Sequence, residues 1–186
     1  SNEIPISKIP IPKRLSLRGV PPRDDEAIPR TMGLPRAALA MTLVMDLTLQ
    51  TYETGYLPTW CAGCGNYGIW AALKKALIAL GLTPDQFVCV YDIGCNGNGS
   101  NWFKSYGFHS LHGRALPAAM GIKLAHHDLP VFVFAGDGGA LGEGGNHFLH
   151  ACRRNLDIVY VIHDKQLYSL TTGQTSPTTE VGVVTR

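Results

Sequence analysis

From residue 58 onward the hydrophobic positions switch between a helical and an extended period. Residues 69–80 (Ile-Trp-Ala-Ala-Leu-Lys-Lys-Ala-Leu-Ile-Ala-Leu) predict an amphipathic helix, and Gly81 offers the left-handed stop that ends one. Residues 87–93 form a short apolar run, expected as a buried strand. Residues 94–113, rich in Gly, Asn and His, read as a long loop, and such a loop inside a compact domain is usually functional. A second helix is expected from Arg114 or Ala115 to about residue 127. Val131-Phe132-Val133-Phe134-Ala135 is a third apolar run that stops at Gly136-Asp137-Gly138. A helical pattern follows near Glu143, and residues 158–162 predict a strand ending at His163-Asp164-Lys165. This alternation argues an α/β fold with a doubly wound parallel sheet over residues 58–186.

Ahead of that domain, residues 1–57 read as an N-terminal arm and a short helix. Residues 1–36 carry seven of the twelve prolines and seven Lys or Arg against four acids. They form either a disordered tail or an arm laid over a partner. Residues 37–50 are apolar enough for a helix that needs a partner surface. At the other end, residues 171–186 are polar and stop without a final apolar element, so a C-terminal segment is expected to be lacking.

Composition narrows the class. A chain of 186 residues with 45% hydrophobic content can bury a real core. A net charge of +2 gives no argument for nucleic acid or a membrane surface. No apolar run reaches the roughly 18 residues of a membrane span, and the first residues lack a signal-peptide core. Five cysteines, two in a Cys-x-x-Cys pair, suggest metal or redox chemistry in an intracellular, cytoplasmic protein.

Three constellations carry chemistry. Asp137, flanked by glycines at the carboxyl edge of a parallel strand, suits Mg²⁺ bearing a diphosphate, because the missing side chains let phosphate approach the backbone. Between Gly138 and Asp164 lie 25 residues, one crossover, which brings Asp164 and Lys165 to the same edge. Cys61 and Cys64, with Cys95 after a strand, suit an iron–sulfur cluster, with a zinc site or a redox pair as alternatives. Cys89 and Cys152 read as ordinary buried thiols. Within residues 94–114, Asn96 to Asn101 suit backbone contacts to a polar ligand, and His109 and His112 flank a helix start that can receive a phosphate oxygen. Arg114 either pairs with phosphate or braces the loop. His147 and His150 share a helix face that packing explains.

Several motifs occur in a familiar order: Trp60-Cys61-Ala62-Gly63-Cys64-Gly65, Ile93-Gly94-Cys95, His112-Gly113-Arg114, Gly136-Asp137-Gly138, Gly145-Asn146-His147-Phe148, Arg153-Arg154-Asn155 and Thr171-Thr172-Gly173-Gln174-Thr175-Ser176-Pro177. Over about residues 58–178 the chain resembles the β subunit of 2-oxoacid:ferredoxin oxidoreductases. The resemblance implies thiamine diphosphate bound around Gly94, Cys95, His112, Gly136, Asp137, Gly138, Gly139, Leu167, Tyr168 and Thr171. It makes Asp137 the first Mg²⁺ ligand and the Leu167 carbonyl another, and gives His112 and Arg114 catalytic places. The usual side-chain Asn of the metal site falls on Lys165, a departure, since an ammonium offers no lone pair. Asp164, water, or a direct Lys165–diphosphate contact then fills that role. Cys61, Cys64 and Cys95 match three ligands of a 4Fe–4S cluster, the fourth lying in a C-terminal segment outside this chain.

The implied reaction is oxidative decarboxylation of a small 2-oxoacid with coenzyme A, giving acyl-CoA, CO₂ and reduced ferredoxin. The implied partner is an α subunit that carries the pyrimidine-side domain and its activating Glu. Two rivals stay open: a cluster-free thiamine diphosphate decarboxylase or carboligase, and a non-catalytic module that carries a cluster or metal.

Overall fold

The computed structural model describes residues 46–185, which fall in one compact unit, Met45–Arg186. The arm expected over residues 1–36, and residues 37–45 of the helix expected after it, lie outside the described residues. That helix does not reach residue 50: residues 46–48 are irregular and Leu49–Tyr52 is a single 3-10 turn.

Four parallel strands form the main sheet: β1 (Val88–Tyr91), β2 (Tyr106–His109), β3 (Val131–Gly136) and β4 (Val159–His163), in the order β2-β1-β3-β4. The helices are α1 (Gly65–Leu80), α2 (Gly99–Trp102), α3 (Ala115–Ala125) and α4 (Gly145–Arg154). A small antiparallel pair, β5 (Leu167–Tyr168) and β6 (Gln174–Thr175), follows β4.

The alternation of side chains along each strand builds two cores. Val88 and Val90 of β1 and Val131 and Val133 of β3 pack with Ala115, Leu116, Ala119 and Met120 of α3 and Ala151 of α4. Cys89, Tyr91 and Phe134 point the other way, against Leu77 of α1, Tyr52 and Phe103. The sheet is thus covered on both faces, which explains why β1 and β3 read as continuous apolar runs. Tyr52 is fully buried and its hydroxyl donates to the Leu82 carbonyl at 2.7 Å, fastening the 3-10 turn to the end of α1.

Gly81 ends α1 with φ +67, as the pattern predicts, and Asn155 closes α4 with φ +47. Two further expectations fail. The segment 94–113 is not all loop: it contains α2 and β2. β2 is an edge strand whose four residues are exposed, so it lacks the apolar signature of a buried strand. Cys152 is exposed, not buried, while Cys89 is buried as expected.

Candidate functional site

β1, β3 and β4 all end at the same edge of the sheet, and the candidate site is built there. At the end of β3 the chain turns through Asp137 into a π-helical turn, Gly138–Glu143, an irregular geometry that recurs at functional sites. Two glycines are required in that turn. A Cβ on Gly138 would stand 2.4 Å from the Tyr168 ring, and one on Gly139 would stand 2.6 Å from Asp92 Oδ2. Gly144 likewise has no room, its Cβ falling 2.6 Å from the Gly139 carbonyl, whereas Gly145 lies in open space.

Asp137 is 1% exposed. Its Oδ1 accepts from the Lys165 amide at 3.2 Å and its Oδ2 from the Thr178 hydroxyl at 2.9 Å. Burial pushes its carboxyl up, but Ser176, the Lys165 amide and Thr178 outweigh that and hold it below the usual carboxylate range. The Thr178 oxygen also lies 2.8 Å from Asp164 Oδ1, so two carboxylates flank one hydroxyl. Lys165 therefore meets Asp137 through its backbone, not its ammonium.

At the end of β1, Asp92 is 1% exposed and accepts from the Ile93 amide at 2.7 Å and the Gly113 amide at 2.9 Å. Burial raises its carboxyl, and the Ile93 and Gly113 amides and His112 oppose that only in part. This clamp fixes the turn carrying His112, whose Nδ1 lies 3.3 Å from Glu143 Oε2. The Tyr168 hydroxyl donates to Glu143 Oε1 at 3.0 Å, and its ring stands edge-on to His112 with centroids 5.9 Å apart. Burial and then the Glu143 carboxylate push the Tyr168 phenol up to about 12, so it donates as a neutral hydroxyl at physiological pH.

These groups enclose a cleft of about 70 Å³. Every residue expected around the cofactor lines it: Gly94, Cys95, His112, Gly136, Asp137, Gly138, Gly139, Leu167, Tyr168 and Thr171, with Lys165 beside them. Arg114 is not in the lining. Its guanidinium donates to the Glu143 carbonyl at 3.0 Å and the Gly113 carbonyl at 3.3 Å, so it braces the loop. His109 is exposed at the end of β2, and His147 and His150 sit on α4 away from the cleft lining.

Sequence reasoning missed Asp92 and Thr178, and gave Asn96 only a place among backbone contacts to a polar ligand. Asp92 ends an apolar strand at the functional edge, a signal that was readable. Asn96 also lines the cleft; its amide donates to the Phe134 carbonyl at 3.0 Å while its Oδ1 has no partner among the described residues. Thr178 reaches Asp137 from 41 positions away, which no local pattern announces.

Cys61, Cys64 and Cys95 are all free thiols, Cys61 exposed and the others half-buried. Trp60 ties two of their loops together, its indole N–H donating to the Cys95 carbonyl at 2.6 Å. Among the described residues no three His, Cys, Asp or Glu side chains converge as a metal site.

The model of the C-terminal TPP-binding domain of thiamine pyrophosphate enzymes matches residues 92–185, which hold the whole acidic edge and its cleft. The chain belongs to that family. The chain is 46% identical over 127 residues to the 2-oxoglutarate oxidoreductase subunit KorB of Mycobacterium tuberculosis, covering 68% of this chain and 34% of that protein. It is 48% identical over 129 residues to the 2-oxoacid:ferredoxin oxidoreductase subunit beta of Saccharolobus solfataricus, covering 68% and 42%. Among solved structures it superposes on the 2-oxoglutarate:ferredoxin oxidoreductase of Magnetococcus marinus, which holds 2-oxoglutarate, coenzyme A and succinyl-CoA. That match has a TM-score of 0.74 at 36% identity, over 76% of this chain and 49% of that one. The chain spans half or less of the length of these relatives.

The cleft suits the metal-bearing end of thiamine diphosphate in its chemistry: a buried carboxylate for the metal, beside the backbone of a glycine turn in the cleft wall. Its volume, about 70 Å³, is well under the roughly 300–1,000 Å³ of a typical ligand pocket, so it has room for only one end of such a cofactor.

Proposed function

We propose that the chain is the diphosphate-binding part of a 2-oxoacid:ferredoxin oxidoreductase β subunit, acting in the cytoplasm. The complete enzyme converts a small 2-oxoacid and coenzyme A to acyl-CoA and CO₂ and passes electrons to ferredoxin. The observation that carries this is the buried, hydrogen-bonded Asp137 in its glycine turn, with every expected cofactor residue around one cleft. The relatives named above support the reaction class.

Asp137 and the Leu167 carbonyl would hold Mg²⁺, with Gly138 and Gly139 receiving the diphosphate. Asp164, exposed beside the cleft and sharing the Thr178 hydroxyl with Asp137, would supply the third oxygen in place of the Asn that Lys165 replaces. Thiamine diphosphate, when bound, supplies the carbon nucleophile and electron sink for decarboxylation. This chain's residues orient and enclose it. Asp92 locks the His112 turn, Glu143 fixes the Tyr168 hydroxyl, and Arg114 braces Gly113 against Glu143. The carboxylate that activates the pyrimidine ring belongs to an α subunit, because Glu143 is engaged on the diphosphate side.

Cys61, Cys64 and Cys95 would bind a 4Fe–4S cluster once the Cys61–Cys64 turn closes on Cys95 and a fourth thiolate is supplied from outside residues 46–185. The Trp60 indole N–H, donating to the Cys95 carbonyl, holds the Cys61–Cys64 segment to the Cys95 turn, which supports this reading.

The deciding experiment is calorimetry of thiamine diphosphate and Mg²⁺ on the assembled enzyme. Asp137→Ala should abolish Mg²⁺-dependent binding, and Asp164→Asn should weaken it less. Unchanged affinity in Asp137→Ala would sink the assignment. Iron and acid-labile sulfide on the anaerobic complex test the cluster: about four irons per chain support it, and iron-free enzyme that still binds the cofactor favours the cluster-free reading.

A further inference from the structure

Asn96 lines a second, smaller space, of about 20 Å³, between α1 and the carboxyl ends of β1, β3 and β4. Its wall is mostly aromatic, with Trp60, Tyr91, Phe103 and Phe134, yet it contains Asn66, Trp70, Asn96 and His163. Four polar atoms of those residues have no hydrogen-bond partner among the described residues: Asn66 Nδ2, Trp70 Nε1, Asn96 Oδ1 and His163 Nε2. Asn66, Asn96 and His163 are 3%, 2% and 6% exposed, so bulk water does not satisfy them.

We propose that this space is a specific site for one water molecule, which bridges α1, the Cys95–Asn96 turn and the end of β4. Size sets the number. A water needs roughly 10–15 Å³ of such volume, so one fits and a second does not. The donor–acceptor count sets the identity. His163 Nδ1 and Asn66 Oδ1 are 2.9 Å apart. If Nδ1 carries the ring proton, it donates to Asn66, leaving Asn66 N–H and Trp70 N–H as donors and His163 Nε2 and Asn96 Oδ1 as acceptors. If Nε2 carries it and the Asn66 amide is flipped, His163 and Trp70 donate while Asn66 and Asn96 accept. Either arrangement of the neutral ring presents two donors and two acceptors, the complement of water. Ammonia has three donors and one acceptor and does not match, and a metal ion is refused by the indole N–H.

The placement gives the water a structural role that does not depend on the proposed activity. Asn66 lies two residues after Cys64, Asn96 follows Cys95, and His163 precedes Asp164. The water therefore joins the two cysteine-bearing segments to the acidic edge.

The test is an atomic-resolution crystal structure of the full natural chain, paired with oxygen-17 relaxation dispersion. One ordered density peak within hydrogen-bond distance of all four atoms is expected, together with a long-lived internal water. Trp70→Phe keeps the packing and removes one donor, so it should shorten that water's residence time several-fold. An empty space, a protein group filling it, side chains rotated to pair with one another, or a residence time unchanged in Trp70→Phe would each overturn the proposal.

Discussion

Gly138 shows how a single missing side chain positions a site. Its Cβ would stand 2.4 Å from the Tyr168 ring, and Tyr168 is held by Glu143, so the ring has little freedom to yield. Gly138→Ala should destabilise the fold by about 1–3 kcal/mol, the usual range for overpacking, and weaken cofactor binding. Urea denaturation with matched calorimetry checks both, and a variant as stable as the parent would show that the turn can relax. Asp137 makes a pH prediction at the same edge. Its carboxyl lies lower in the fold than its unfolded value of 3.8, so its stabilising contribution is present above that value and disappears as pH falls through the folded one. Thr178→Val removes a hydrogen bond to the carboxylate and should move the folded value upward, as followed by carboxyl NMR titration.

His163 stays neutral at pH values where a surface histidine is already protonated. Burial, and then the Lys165 charge, lower it from 6.5 to about 4, so the fold holds a neutral ring. Above pH 6.5 both states are neutral and the fold carries no penalty; between 6.5 and about 4 only the unfolded chain takes up the proton, and stability falls. The loss is on the order of 3 kcal/mol at about 1.4 kcal/mol per pKa unit. Stability curves from pH 7 to 4 should slope in the parent and flatten over that window in His163→Gln; parallel slopes would place the acid sensitivity elsewhere.

At the scale of elements, α1 is secured by one face. Leu77 is fully buried against the Tyr52, Phe87 and Phe134 side of the sheet. Leu77→Ala should cost about 2–5 kcal/mol through lost burial and the cavity left behind, measured by thermal or urea unfolding. The helix was legible because its apolar spacing is regular and Gly81 ends it. Its start was not: α1 begins at Gly65, and no cap side chain marks Cys64 as the boundary. β2 was invisible for a related reason, since its pairing with β1 comes from backbone bonds at an edge, where Tyr106-Gly107-Phe108-His109 needs no apolar pattern. The buried strands β1 and β3 were readable because both their faces are covered.

At the scale of the molecule, a cleft of about 70 Å³ is too small to enclose a whole cofactor, and the proposed function requires a second chain to complete the site. This chain alone should show no turnover, and adding the α subunit should create both tight thiamine diphosphate binding and activity. Turnover by the isolated chain would remove the need for a second subunit. By itself the sequence determined the parallel α/β class and the Asp137 turn, because glycines and a carboxylate at a strand end are constrained by local backbone geometry; the residues expected around the cleft came from the family resemblance. Only the tertiary structure decided that Asp92 clamps the His112 turn, that Arg114 braces carbonyls, and that Thr178 joins Asp137 to Asp164. It alone also gathered Asn66, Trp70, Asn96 and His163 around one small space. Those roles depend on hydrogen bonds between residues far apart in the chain, whose partners are fixed by packing and leave no local signature.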